Sequence, residues 1–85
     1  LEDVFHDTYG QIAGEITDAS EATRSIGGLN GYEMRYRRPW GEPWWQFQDV
    51  WLEADGVIYL LSAHAYNLGD YQEALDAILE SFVLN

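Results

Sequence analysis

The apolar residues of this chain fall into patterns of two different periods. Leu1, Val4, Phe5, Tyr9, Ile12 and Ile16 recur every three or four positions, with Asp3, Asp7 and Glu15 off that stripe. That spacing predicts an amphipathic helix over Leu1–Ala19, and acidic residues in its first turn suit the positive end of the helix dipole. Gly10 and Gly14 work against it, each costing about 1 kcal/mol relative to alanine in a helix interior. Asp18–Arg24 has no apolar period and reads as a polar connection. Ile26–Leu29 reads as a short edge strand weakened by Gly27-Gly28.

From Tyr32 the period becomes two. Tyr32, Met34 and Tyr36 alternate with Glu33, Arg35 and Arg37, which predicts a half-buried strand over Tyr32–Arg38. Pro39 and Pro43 bracket a loop, because proline cannot donate to a sheet ladder. Trp44–Ala54 and Val57–Ala65 are two further strands. Asp55-Gly56 between them is a type I′ hairpin signal, since both turn residues need positive φ. After a turn at Asn67–Asp70, Asp70 and Glu73 resemble a capping box. Tyr71, Leu75, Ile78, Leu79 and Phe82 then share one helical face. The expected fold is α+β, a single domain over residues 1–85: a three- to four-stranded antiparallel sheet flanked by an N-terminal and a C-terminal helix, in the order α-β-β-β-α.

The hairpin also predicts which side chains share a face. A two-residue turn at Asp55-Gly56 sets Leu52 opposite Tyr59 and Val50 opposite Leu61. With Ala54, Val57 and Ala63 these make an aliphatic face that suits the C-terminal helix. On the other face Trp51 meets Leu60, Asp49 meets Ser62, and Phe47 meets His64. Pairing Arg38 with Trp44 adds the first strand, sending Tyr32, Met34 and Tyr36 to the aliphatic face. Arg35 and Arg37 then lie beside Trp45, Phe47, Trp51, Leu60 and His64. A slip of one residue would invert that last assignment.

Charge narrows the partners. Fifteen acidic residues stand against four arginines and no lysine, a formal net charge of −11. The phosphate backbone of a nucleic acid would be repelled, as would an anionic membrane surface. No apolar run is long enough to span a bilayer, so membrane insertion by this segment is not expected. Hydrophobic residues make up 47% of the chain, which excludes disorder despite the charge. Without cysteine there is neither a disulfide framework nor a thiolate metal site. With no initiator methionine or signal peptide, the chain reads as a piece of a longer protein.

Two clusters invite a binding role. The face carrying Arg35, Arg37, Trp45, Phe47, Trp51 and His64 has the residue types of interface hot spots; alternatively, the N-terminal helix covers it in ordinary packing. Trp40, Trp44 and Trp45, in and beside the two-proline loop, could stack on a glycan or peptide, or cap the end of the sheet. Catalysis finds less support. Ser62, His64 and Asp49 are the residue types of a hydrolase triad, but Ser62 and His64 share one face of one strand, about 7 Å apart. No glycine turn adjoins them to form an oxyanion hole. His6 and Asp7 are adjacent on a helix and point apart, and no metal-loop or phosphate-loop spacing occurs. The expectation is a non-enzymatic domain without cofactor or metal.

Gly28-Leu29-Asn30-Gly31-Tyr32 at the start of a strand, Gln48-Asp49-Val50-Trp51-Leu52 in the next, and Asp55-Gly56 leading into Val57-Ile58-Tyr59-Leu60-Leu61-Ser62-Ala63 resemble the C-terminal half of the PsbP-like (Mog1/PsbP/DcrB) superfamily. Tyr71 through Ile78-Leu79-Glu80-Ser81-Phe82 extends the likeness over nearly the whole chain. The resemblance implies an antiparallel sheet flanked by helices and a binding or assembly module of bacterial type, on an extracytoplasmic or membrane-anchored parent. Family members usually carry strands before the first helix, which this chain lacks. The partner implied is a protein or peptide, with small-ligand or glycan binding and homodimerisation as further options.

Overall fold

The structure, a computed structural model, describes residues 1–38 and 45–82. It is an α+β fold: a helix, a four-stranded antiparallel sheet and a second helix. Helix α1 spans Glu2–Gln11 and ends in a 3-10 turn at Ala13–Glu15. Strands β1 (Thr17–Ile26), β2 (Leu29–Arg38), β3 (Trp45–Ala54) and β4 (Val57–Ala65) follow. A 3-10 turn at Leu68–Tyr71 then leads into α2 (Gln72–Glu80). The strands lie in sequence order, β1-β2-β3-β4, so β1 and β4 are the two edges.

The first third of the chain departs from the expectation. The helix stops at Gln11 rather than reaching Ala19. The stretch from Asp18 to Arg24, expected as a polar connection, is the body of a ten-residue edge strand. Gly27-Gly28 does not interrupt a strand but turns one into the next. Both glycines have positive φ (59° and 80°), and Ile26 pairs with Leu29 across them, a two-residue hairpin of the kind primed turns make.

The β3–β4 hairpin follows the expected pairing along its whole length, from Ala54↔Val57 to Gln46↔Ala65. Its turn has positive φ at both Asp55 (53°) and Gly56 (77°). The β2–β3 register is one residue away from the expected one: Arg38 pairs with Trp45, not Trp44. Because side chains alternate with period two, that slip moves the whole of β2 to the opposite faces. Tyr32, Met34 and Tyr36 stand with Phe47 and Trp51, while Arg35 and Arg37 stand with Gln46, Gln48 and Val50.

Each face has its own core. On one, α1 sets Phe5 and Tyr9 against Met34, Tyr36, Phe47 and Trp51. Phe5 is fully buried; its ring stacks on Tyr32 at 5.1 Å and meets Trp51 edge-on at 6.3 Å. Tyr36 and Phe47 stack nearly parallel at 4.9 Å. Such pairs add about 0.5–1.5 kcal/mol each beyond area burial. On the other face, Leu79 of α2 packs with Ile26, Val50 and Leu52. The expected capping box at Asp70 and Glu73 does not form. Asn67 instead accepts from the Gly69 N–H at 3.1 Å, and α2 begins at Gln72 without a side-chain cap.

Candidate functional site

The two sheet edges differ in a way that bears on function. A free edge presents unpaired backbone N–H and C=O groups, and stable proteins blunt it with charges, prolines or bulges. β1 is blunted: its register is broken between Thr17 and Ser20, Asp18 has positive φ (55°), and Asp18, Glu21 and Arg24 put charges along it. β4 has none of these devices. Val57–Ala65 contains no charged residue, no proline and no glycine, and pairs with β3 without interruption. In a ladder closed by a two-residue turn, the closing pair exchanges both hydrogen bonds and the pattern then alternates. Ala54↔Val57 therefore binds inward, and Ile58, Leu60 and Ser62 turn their backbone groups outward.

Exposed apolar surface gathers at the same edge. Among the described residues, the exposed large apolar side chains other than Val4 are Val57, Ile58, Leu60, Tyr66, Tyr71 and Ile78. All six lie on β4, just after it, or on the chain leading into and forming α2. A groove of about 610 Å³ runs between the end of β4 and α2. The small side chains of Ala63, Ala65 and Ala74 leave its floor open, and Tyr71 and Ile78 form one wall. Tyr66 lies against Trp45, with ring centroids 4.1 Å apart. The segment carrying Tyr66 is anchored where Gln46 Oε1 accepts from the Leu68 N–H at 2.7 Å.

The residues expected to form one binding face are divided. Trp45, Phe47, Trp51 and His64 do share a face, with His64 stacked on Phe47 at 5.2 Å. Phe47 and Trp51 are buried, Trp51 beneath Phe5 and Tyr9 of α1, so that helix covers this part of the face. Arg35 and Arg37 lie on the other face through the register slip. Trp40 and Trp44 fall outside the described residues.

Both faces bury a carboxylate, and each is satisfied. Asp49, 5% exposed, accepts from the Tyr9 hydroxyl at 2.6 Å, the Tyr36 hydroxyl at 2.8 Å, and the Ser62 hydroxyl. Trp51 Nε1 donates to the Tyr9 hydroxyl at 2.9 Å, so four elements meet at one acid. Burial, reinforced by hydrogen bonding to Asp49, pushes both tyrosine hydroxyls far above the ordinary tyrosine range. The Ser62 hydroxyl donates its hydrogen bond directly to Asp49, with no imidazole between them, so this trio lacks the relay of a hydrolase triad.

Beneath α2, Glu33 accepts from Arg24 at 2.6 Å, Gln48 at 2.7 Å and Arg35 at 3.4 Å. Gln72 of α2 accepts from Arg35 and donates to Gln48 and Asp76. Burial alone would raise the Glu33 carboxyl, but the Gln48 hydrogen bond and the two guanidinium charges outweigh it and hold it below the usual carboxylate range. Of the two arginines expected on a binding face, Arg35 pairs with Glu33 and Arg37 with Asp18; Arg24 also pairs with Glu33, and Arg38 with Glu15.

Among the described residues, no group of three His, Asp or Glu side chains is placed to hold a metal ion, and no helix is long and apolar enough to cross a membrane. Comparison with protein-family models, with curated proteins and with solved structures finds no match.

Proposed function

We propose that this chain is a non-enzymatic protein- or peptide-interaction module of PsbP-like type, and that it takes its partner as an added strand on β4. The observation that carries the reading is the contrast between its edges: β1 is bulged and charged, whereas β4 is regular, uncharged and bordered by exposed apolar side chains. Strand addition draws affinity from main-chain hydrogen bonds and specificity from pockets for alternate side chains. β4 offers outward backbone groups at Ile58, Leu60 and Ser62, and the groove beside Tyr71 and Ile78 supplies a pocket.

Leu60→Pro tests this directly. The Leu60 N–H points away from β3, so proline removes a donor the partner would use and leaves the existing ladder intact. Peptides selected from a random display library should slow amide exchange at Ile58, Leu60 and Ser62. Their affinity should fall at least tenfold on Leu60→Pro, while near-UV circular dichroism stays unchanged. Selected peptides that bind the variant equally well, or that protect β1 instead, would refute strand addition at β4. Leu60→Lys, which puts a charge on the same edge, serves if the proline variant unfolds.

A further inference from the structure

The charge pattern identifies the partner more closely, and this step rests on strand addition at β4. Between Trp45 and Phe82, which includes β3, β4 and α2, there are seven acidic residues and no lysine or arginine. All four arginines lie on β1 and β2; Arg24 and Arg35 share Glu33, Arg37 meets Asp18, and Arg38 meets Glu15 in the turn before β1. Asp49 is buried among hydroxyls and Glu53 lies 3.6 Å from the Leu1 amino group, and the other five acids give the β4 side of the molecule an excess of negative charge. Two acids flank the strand along the chain: Asp55 in the turn before β4, and Asp70 in the 3-10 turn that follows it, lining the groove. The strand between them, β4, holds nine uncharged residues and runs about 30 Å.

The geometry points to an extended polypeptide partner, apolar at alternate positions and carrying lysine or arginine at both ends. Its side chains that pair with the C-terminal end of β4 would, on one side, enter the groove lined by Ala63, Ala65 and Ile78. Its terminal cations would meet Asp55 and Asp70. A second copy of this chain fits less well, because pairing β4 with β4 would bring two negative fields together. The uncharged strand supplies the pairing, and the acids at its ends choose among peptides that could pair.

Two synthetic peptides put this to the test, each of about ten residues alternating threonine and valine. One is closed at both ends by lysine pairs and its twin by glutamate pairs. Fluorescence anisotropy in about 20 mM salt should show the lysine peptide binding at least tenfold more tightly, with that advantage shrinking as salt rises. Asp55→Asn with Asp70→Asn should weaken the lysine peptide about threefold and flatten its salt dependence, while asparagine keeps the type I′ turn. Equal binding of both peptides, mapped to β4 by amide protection, would overturn the charge assignment and leave strand addition standing. Binding by neither peptide would overturn the charge assignment too, and the display-selected peptides then decide strand addition separately. A dimer seen by sedimentation and abolished by Leu60→Pro would make the occupant a second copy and overturn the peptide assignment.

Discussion

Asp49 shows how one side chain can tie the molecule together. Its carboxylate collects hydroxyls from α1 (Tyr9), β2 (Tyr36) and β4 (Ser62), and its partners there are hydroxyls rather than cations. Hydrogen bonds to a charged group contribute about 1.5–3 kcal/mol each, so Tyr36→Phe should lower unfolding free energy by that amount in urea titrations. Tyr9→Phe should cost more, because it also leaves the buried Trp51 N–H without its acceptor. The same contacts predict the alkaline limb of stability. The folded state holds both phenolic protons above their ordinary range, whereas the unfolded chain releases them near pH 10. Their contribution is complete below that pH and is lost as pH rises beyond it, by about 1.4 kcal/mol per pH unit for each tyrosine. Urea midpoints should therefore fall steeply above about pH 10 in the wild type and more gently in Tyr36→Phe. Parallel curves would mean that the Tyr36 hydroxyl is not held by Asp49.

At the level of elements, β2 and β3 approach so closely at Gly31 that a side chain there has no room. A Cβ on Gly31 would fall inside the contact distance of the Trp51 carbonyl oxygen, which belongs to the backbone and cannot swing aside. Gly31→Ala should therefore cost roughly 1–3 kcal/mol, the range of overpacked cores, read as a lower urea midpoint with an unchanged slope. Gly28→Ala is the control for space: nothing stands within 4 Å of its Cβ, and only its positive φ resists the change. The elements also show what could be read from the residues alone. β4, its turn and the seat of α2 were legible because Asp55-Gly56 sets parity and register together. β1 was not, since its side chains are exposed along almost its whole length and leave no apolar alternation to detect. The missed clue was Gly27-Gly28 between Ile26 and Leu29, a primed-turn signal. The β2–β3 register was illegible for a different reason: the Pro39–Trp44 stretch sets no parity, so a one-residue error exchanged the faces of Arg35 and Tyr36. The β4 site was half visible. Its uncharged strand is plain in the residues, but its place at an edge depends on β1 being a strand on the far side.

For the molecule as a whole, charge is unbalanced in amount and in place. Formal net charge is −11, and the few cations are confined to two adjacent strands. Two effects of salt oppose one another here. Screening weakens pairs such as Arg37–Asp18 and Arg38–Glu15, which are long, at 3.8 and 3.7 Å, and whose carboxylates face solvent. Pairs of that kind are worth about 0–1 kcal/mol. Screening also relieves repulsion among the carboxylates, and among the described residues those without an arginine partner greatly outnumber those with one. Arg24–Glu33 is shielded from salt by its burial, so it hardly enters the balance. Relief of repulsion should win. Raising sodium chloride from about 10 mM to about 500 mM, which shortens the screening length from about 30 Å to under 5 Å, should raise the thermal midpoint by several degrees. The gain should level off once that length falls below the spacing of the surface carboxylates. Glu33→Gln should keep this salt response, because the Glu33 network lies under α2 and away from the exposed acids. A midpoint that falls with salt would show instead that the arginine pairs dominate, and that the acidic surface costs the fold little.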